Sequence, residues 1–123
     1  MADEYFSSTH PLLPPTSEDD RVLWLRLLRS RRVGISTFYR LMSEYGSAQN
    51  ALAQLPQIAQ EAGVDNYQSF SEAAALAEMK AGAKFGARLI FKGEASYPKS
   101  LYDLGDAPPM LWVKGNIDLL TRQ

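Results

Sequence analysis

Cysteine is absent from the 123-residue sequence and histidine occurs once, so several classes of site chemistry are excluded at the outset. Without cysteine the chain has no disulfide, no thiolate metal ligand and no thiol nucleophile. The one histidine, His10, lies among prolines in a leader without periodicity, and a single ligand without partners does not form a metal site. We therefore interpret His10 as a solvated side chain and expect neither a metal nor another cofactor.

Signals of catalysis, secretion and membrane insertion are missing as well. The sequence has no G-x-G-x-x-G or Walker-type loop, no signal-type segment at its N-terminus and no apolar run near the roughly 20 residues of a membrane helix. A carboxylate pair of Glu94 with Asp103 or Asp106 can be drawn, but their loop and turn positions favour solvated side chains. The sequence thus predicts a cytosolic protein that is neither membrane-bound nor an enzyme.

The sequence does contain charge of alternating sign, which a net charge of −1 conceals. Residues 1–20 carry five acids and no base, and residues 21–46 carry six arginines and one acid. Residues 47–79 carry four acids and no base, whereas residues 80–123 carry seven bases and four acids. The first helical region is therefore basic, which is compatible with a polyanionic partner without establishing one.

Helical periodicity dominates residues 17–86, and a hydrophobic content of 46% is enough for a packed core. Ser17, followed by three acids, predicts an N-cap and a first helix. Later helices are predicted at residues 36–45, 48–55, 57–62 and 70–83, with Gly46 ending the second and Pro56 ending the third. About five helices with short loops favour a mainly α fold, a bundle of the helix-hairpin-helix or SAM-like kind. The arginines around the first two helices form either a solvated face or a secondary basic surface; they are Arg21, Arg26, Arg29 and Arg40.

Residues 31–37 join the first two helices and hold the candidate binding site. Gly34 lies between Val33 and Ile35, in the hydrophobic-glycine-hydrophobic pattern of a helix-hairpin-helix turn, and we expect this glycine to turn the chain without a Cβ clash. Such a turn offers backbone N–H groups at a helix N-terminus to a phosphate, and the preceding arginines add charge. A purely structural turn is the alternative, because serine replaces the second glycine often found in such hairpins. The candidate DNA-binding residues are Arg31, Arg32, Gly34, Ser36 and Thr37.

After Gly86 the pattern changes from helical to extended. Residues 88–91 predict a short strand, Tyr97-Pro98 opens a small helix, and residues 110–113 predict a second, buried strand. Because two strands do not form a stable sheet alone, we interpret the second strand as the entry into a larger α/β domain that continues beyond the chain. The expected organisation is a flexible leader at residues 1–16, a helical domain at 17–86 and a truncated α/β start at 87–123.

Several of these motifs, in this order, resemble the N-terminal part of the DNA-processing protein A (DprA/Smf) family. The resemblance covers roughly residues 20–123. The motifs that carry it are the hairpin with Gly34, the Tyr45-Gly46-Ser47 junction, the Gly93-Glu94-Ala95-Ser96-Tyr97-Pro98 segment followed by Leu101, and Asp106-Ala107-Pro108-Pro109 leading to Leu111-Trp112-Val113-Lys114-Gly115-Asn116.

The resemblance implies a SAM-like domain followed by a Rossmann-like domain that binds single-stranded DNA, forms a homodimer and helps to load the RecA recombinase during natural transformation. It implies no catalytic chemistry. The family's glycine-serine-arginine loop follows a strand beyond this chain, so none of its residues is assigned here, and we expect the chain itself to be monomeric. The helical region would then be an accessory domain with at most weak DNA contact. The alternative is a protein-interaction or structural capping module that does not touch DNA.

Overall fold

A computed structural model of the chain describes residues 13–115. Its elements, in chain order, are α1 (Glu18–Arg29), α2 (Ile35–Tyr45), α3 (Ala48–Glu61), α4 (Glu72–Lys84), β1 (Ala87–Phe91), α5 (Lys99–Tyr102) and β2 (Met110–Lys114). This mainly helical fold with a short α/β piece confirms the predicted fold class. Most of the predicted leader, and the end of the predicted α/β start from residue 116, lie outside the described residues. None of the helices in the described part is long and apolar enough to cross a membrane.

Local capping chemistry sets the ends of the helices, as the sequence indicates. Three helices begin with a serine whose hydroxyl accepts a hydrogen bond from the backbone N–H three residues later, at 3.0 to 3.1 Å. These serines are Ser17 before α1, Ser47 before α3 and Ser71 before α4. Gly46 ends α2 with φ +84°, a left-handed conformation that a glycine adopts without a Cβ penalty.

The helix break predicted at Pro56 is wrong. Helix α3 runs without interruption through this proline, so the predicted third and fourth helices are one. A proline inside a helix removes one N–H···O bond and crowds the preceding turn. Here Leu55 and Ala59 flank the proline and are both buried in the core, and the burial of this apolar face offsets the cost of the missing bond.

The core is centred on three aromatic side chains from three different elements. Trp24 of α1 lies 5.4 Å from Phe38 of α2 and 5.8 Å from Phe91 of β1, measured between ring centroids. All three are almost completely inaccessible to solvent, at 2%, 0% and 0% exposure. Leu89 and Met110 of the strands belong to the same buried cluster. The helices and the strands therefore share one hydrophobic core that crosses residue 86, where the sequence pattern changes.

The two strands pair with each other in an antiparallel register in which Leu89 lies opposite Trp112 and Phe91 lies opposite Met110. In the described part of the chain the sheet has these two strands only. A two-stranded sheet is marginal in water, so the packing of β1 against α4 and of Phe91 against Trp24 supplies the stability that further strands would otherwise provide.

Two tyrosine hydroxyl groups hold the extended segment that leads into β2. Tyr39 of α2 donates to the carbonyl oxygen of Ala107 at 2.7 Å, and Tyr97 donates to the carbonyl oxygen of Pro108 at 2.6 Å. Burial raises the pKa of both tyrosines, so both remain protonated donors at neutral pH. These side-chain donors satisfy the carbonyl groups of Ala107 and Pro108, and the Lys92 N–H donates to the carbonyl oxygen of Pro109 at 2.8 Å.

Helix α4 crosses β2 at Gly82, where the indole ring of Trp112 lies directly against the helix backbone. A Cβ atom placed on Gly82 would overlap carbon atoms of that ring. The absence of a side chain at this position therefore permits the close approach of helix and strand.

Candidate nucleic-acid interface

A tight turn between α1 and α2 presents the two arginines of the predicted site. The N–H of Val33 donates to the carbonyl oxygen of Ser30 at 3.0 Å, which closes a four-residue turn with Arg31 and Arg32 in its central positions. Both arginines are exposed, whereas Ser30 and Val33 at the ends of the turn are buried. The fold thus anchors the base of the turn in the core and leaves its two charged side chains in solvent.

The turn does not use Gly34 in the way that the sequence predicts. Gly34 has φ −95° and ψ −171°, an extended conformation that any residue adopts, and no atom lies within 4 Å of a Cβ placed on it. The left-handed residue is Arg32, with φ +70°. A type II turn requires positive φ at its third position, and that position falls on Arg32, two residues before the glycine. The expected role of Gly34 as the turning residue is therefore wrong.

Gly34 instead stands at the N-cap position of α2. It forms no side-chain cap, so the first N–H groups of the helix are not covered by a hydroxyl or carboxylate as they are at the other long helices. Ser36 is exposed and Thr37 is half-buried in this first turn, which contains no acidic residue. Arg31, Arg32 and Thr37 line one cavity, and Gly34 and Ser36 are exposed at the uncapped start of α2.

Two residues that support the turn could not be identified from sequence spacing. The Ser30 hydroxyl donates to the carbonyl oxygen of Arg26 at 2.7 Å and accepts from the N–H of Phe70 at 3.0 Å. The Tyr67 hydroxyl donates to the carbonyl oxygen of Arg31 at 2.7 Å, and burial raises the pKa of this tyrosine. The bonds of Ser30 with Phe70 and of Tyr67 with Arg31 join the turn to the connector, which is residues 62–71 between α3 and α4. The bonded residues are about forty positions apart, and no local sequence pattern marks such a pairing.

The arginines of α1 all form hydrogen bonds within the chain. Arg21 donates to the Leu89 carbonyl oxygen at 2.9 Å and to Glu94 at 3.2 Å, and its guanidinium lies 4.5 Å from the centroid of the Phe91 ring. The other two arginines are also bonded within the chain: Arg26 donates to the carbonyl oxygen of Phe70 at 2.9 Å, and Arg29 forms a two-pronged pair with Glu78 at 3.1 and 3.0 Å. These arginines tie α1 to the strands, to the connector and to α4, and this leaves less charge for an external polyanion.

Arg40 of α2 differs from these three. Its closest acidic neighbour is Glu44 at 4.0 Å, and both side chains are more than half exposed, so this pair contributes little. Arg40, Arg31 and Arg32 line one cavity of about 160 Å³ between the turn, α2, α3 and the connector. Three accessible arginines of the helical region therefore lie around one cavity at this end of the molecule.

The described residues offer less support for a metal site or for a carboxylate pair. Within residues 13–115, no group of three histidine, cysteine or acidic side chains lies close enough together to hold a metal ion. Glu94, one member of the carboxylate pair that can be drawn from the sequence, accepts from the Phe91 N–H at 2.7 Å and from Arg21. Its carboxylate is therefore engaged in holding the loop after β1.

A comparison with protein families decides the identity of the helical region. The model of the DprA-like N-terminal HHH domain matches residues 18–81, more than half of the chain. The chain belongs to this DprA-like family. No curated protein matches the sequence.

The matched region of the DprA-like HHH domain extends from the start of α1 to within α4 and includes the whole hairpin. It confirms the resemblance inferred from the hairpin and the Tyr45-Gly46-Ser47 junction. The family match indicates a DprA-like role in DNA processing. It does not extend to the strands, although they share the core of the helices.

Proposed function

We propose that the helical region is the accessory N-terminal domain of a recombination mediator that binds single-stranded DNA during natural transformation in the cytoplasm. In this proposal the domain contacts DNA weakly, through the hairpin. A Rossmann-like domain that follows in the full-length protein binds most of the strand, forms the homodimer and loads RecA. The helical region carries no catalytic chemistry of its own.

The observation that carries a DNA contact is the position of Arg31 and Arg32 directly before the uncapped N-terminus of α2. Both side chains are exposed, and the first turn of the helix brings no acidic residue near them. A helix N-terminus with free N–H groups favours an anion, and guanidinium groups bind phosphate in a two-pronged geometry. Together they suit one or two phosphates of a DNA backbone, without any reading of the bases.

The first experiment is a titration of the 123-residue chain with a twelve-nucleotide oligothymidylate at low salt, followed by backbone amide shifts in NMR spectra. We expect the largest shifts at residues 31–37 and weak binding that falls steeply with salt. Changing both Arg31 and Arg32 to alanine should reduce the slope of log K against log salt by about 1.4, because each phosphate contact of a single strand contributes about 0.7.

Arg88→Ala is the matched control, because Arg88 is an exposed arginine on β1, away from the hairpin. This variant should leave the salt dependence unchanged. If the double hairpin variant and the β1 variant weaken binding equally, the contact is a general effect of net charge. If no shift appears at residues 31–37, the hairpin does not contact DNA.

A protein-interaction or capping module is the second candidate, and the bonding of α1 favours it. Arg21 and Arg29 pair with the carboxylates of Glu94 and Glu78, and Arg26 donates to a backbone carbonyl oxygen, so the arginines of the first helix are engaged within the chain. The exposed acids Glu61, Asp65 and Glu72 follow the hairpin in the chain and would repel DNA. This candidate predicts that replacing both hairpin arginines leaves DNA binding by the full-length protein unchanged at every salt concentration.

A further inference from the structure

The cavity at the hairpin has two chemically distinct parts. Its buried floor is aliphatic and includes Leu41, Leu55 and Ala59, whereas its exposed rim carries the guanidinium groups of Arg31, Arg32 and Arg40. At about 160 Å³ the cavity is of the size of one large apolar side chain. A phosphate contact requires only the rim, so the floor is unexplained by DNA binding through the hairpin.

One wall of the cavity is fixed before any ligand binds. The Tyr67 hydroxyl donates to the Arg31 carbonyl oxygen at 2.7 Å, and the Arg31 guanidinium lies 5.3 Å from the centroid of the Tyr67 ring. These contacts hold the connector against the turn, so that the cavity does not have to be assembled by its occupant.

Arg32 keeps a charged side chain at the rim in spite of an unfavourable backbone conformation. Its φ of +70° is one that glycine adopts freely and that costs a residue with a Cβ atom. Glycine would adopt this conformation without that cost, so the turn itself does not require an arginine here. An outlier of this kind, at the mouth of a cavity, points to a role in binding.

The chemistry of the floor distinguishes between two kinds of anionic polymer. A nucleobase in this cavity would place hydrogen-bonding groups against the aliphatic side chains of Leu41, Leu55 and Ala59, where they lose water, and Thr37 is the one neutral polar side chain of the lining besides Tyr67. The Tyr67 hydroxyl donates its proton to the carbonyl oxygen of Arg31 and therefore offers a ligand only its acceptor capacity. An apolar side chain loses nothing in the same place, and the three guanidinium groups around it match carboxylates.

We propose that this cavity binds an acidic peptide segment of a partner protein, with one large apolar side chain on the aliphatic floor and flanking carboxylates on Arg31, Arg32 and Arg40. The proposal does not depend on DNA binding by the hairpin. Because both ligands would use Arg31 and Arg32, an acidic peptide and single-stranded DNA compete for this end of the domain.

The test uses a fluorescein-labelled peptide of four glutamates followed by one phenylalanine, with an all-polar analogue in which serine replaces the phenylalanine. Both are titrated into the 123-residue chain, and binding is followed by fluorescence polarisation and by NMR. We expect the phenylalanine peptide to bind at least about tenfold more tightly than its analogue, as burial of one aromatic side chain provides. Its addition should shift the methyl signals of Leu55 and Ala59.

Two variants separate binding from folding. Arg32→Gly removes the rim charge and the cost of the positive φ at this position. It should therefore weaken binding of the phenylalanine peptide about tenfold, while the midpoint of thermal unfolding stays the same or rises. Arg40→Gln should also weaken binding, whereas Arg88→Gln, which removes an equal charge outside the cavity, should not.

The proposal is overturned by any of three results: no binding of the phenylalanine peptide, equal binding of the two peptides, or an Arg32→Gly variant that binds as well as the parent. If instead an oligothymidylate shifts the methyl signals of Leu55 and Ala59 and the peptides do not, the floor accommodates a nucleotide and the peptide assignment is wrong. A loss of DNA binding in the arginine variants with unchanged peptide binding would also contradict it.

Discussion

The indole N–H of Trp112 donates to Oε2 of Glu78 at 2.7 Å, and this bond joins strand β2 to helix α4. Arg29 of α1 binds the same oxygen at 3.0 Å and the second carboxylate oxygen at 3.1 Å. One carboxylate therefore connects the first helix, the last long helix and the edge of the sheet. None of these three partners is near another in the sequence.

Glu78→Gln is expected to destabilise the fold by about 1 kcal/mol at neutral pH, because the pair with Arg29 loses its charge while partial exposure limits the effect. The hydrogen bonds from Arg29 hold the pKa of Glu78 below its usual 4.5, with a smaller contribution from Trp112. A carboxyl group with a lowered folded-state pKa contributes stability above the unfolded-state value, and that stability is lost as pH falls through the folded-state value.

Denaturant unfolding at a series of pH values checks this prediction. The difference between the parent and Glu78→Gln should be largest at neutral pH and should shrink in acid, where Glu78 is protonated too. Arg40→Gln is the control, since the loose exposed pair of Arg40 and Glu44 should give almost no difference at any pH. A Glu78 effect that does not vary with pH would show that the charge of the pair contributes nothing.

Gly82→Ala should lower the free energy of unfolding, whereas a glycine-to-alanine change in a helix usually raises it. Alanine ordinarily stabilises a helix interior by roughly 1 kcal/mol. Here the new Cβ atom meets the Trp112 ring, and we expect a loss of about 1 to 3 kcal/mol from overpacking. In a Trp112→Leu background, which removes the ring, the same change should be stabilising. Thermal unfolding of the four proteins of this cycle measures the inversion, and equal effects in both backgrounds would contradict the close approach.

Gly34→Ser should make the fold more stable and the DNA contact weaker. A serine at this N-cap position can accept from an N–H of the first turn of α2, which glycine cannot, and should stabilise by a few tenths of a kcal/mol. The same hydroxyl would occupy N–H groups that a phosphate otherwise uses. Circular dichroism melting and the oligothymidylate titration check the two effects separately. An unchanged affinity would mean that the helix N-terminus takes no part in binding.

Phe91→Ala should destabilise the helices as well as the strand in which it lies. Phe91 is fully buried against Trp24, and removing such a side chain costs about 3 to 5 kcal/mol. Because helices and strands share one core, far-UV dichroism of the helices and fluorescence of the tryptophans should report one common transition at a lower midpoint. Leu104→Ala is the control, because Leu104 is an exposed apolar side chain. A helical transition that does not move would show two independent cores.

The sequence predicted the elements whose causes are local. Ser17 and Ser47 begin their helices and Gly46 ends one because each acts on backbone groups within a few residues. The predicted helix break at Pro56 is wrong because the tendency of proline to end a helix is outweighed by the burial of Leu55 and Ala59 on the same helix. A rule based on local sequence does not include this contribution from tertiary packing.

At the candidate site, residue types were predicted better than conformations. Arg31 and Arg32 lie in solvent beside the start of α2, as the hairpin pattern indicates. The pattern predicts that Gly34 turns the chain, whereas the residue with positive φ is Arg32, because the turn is defined by the bond from Val33 to Ser30. The contact of Tyr67 with the hairpin depends on how the connector folds back, and the spacing of residues along the chain contains no record of it.

The position of Phe91 against Trp24 also affects how the chain can fold as it leaves the ribosome. Helices α1 to α4 emerge first, but Trp24 gains its contact with Phe91 and its place in the full core only after β1 and β2 have followed. A nascent chain that ends after Lys84 therefore exposes the apolar surface that Leu89, Phe91 and Met110 later cover. A chain of the first 84 residues therefore lacks part of its core, and the strands supply the missing part.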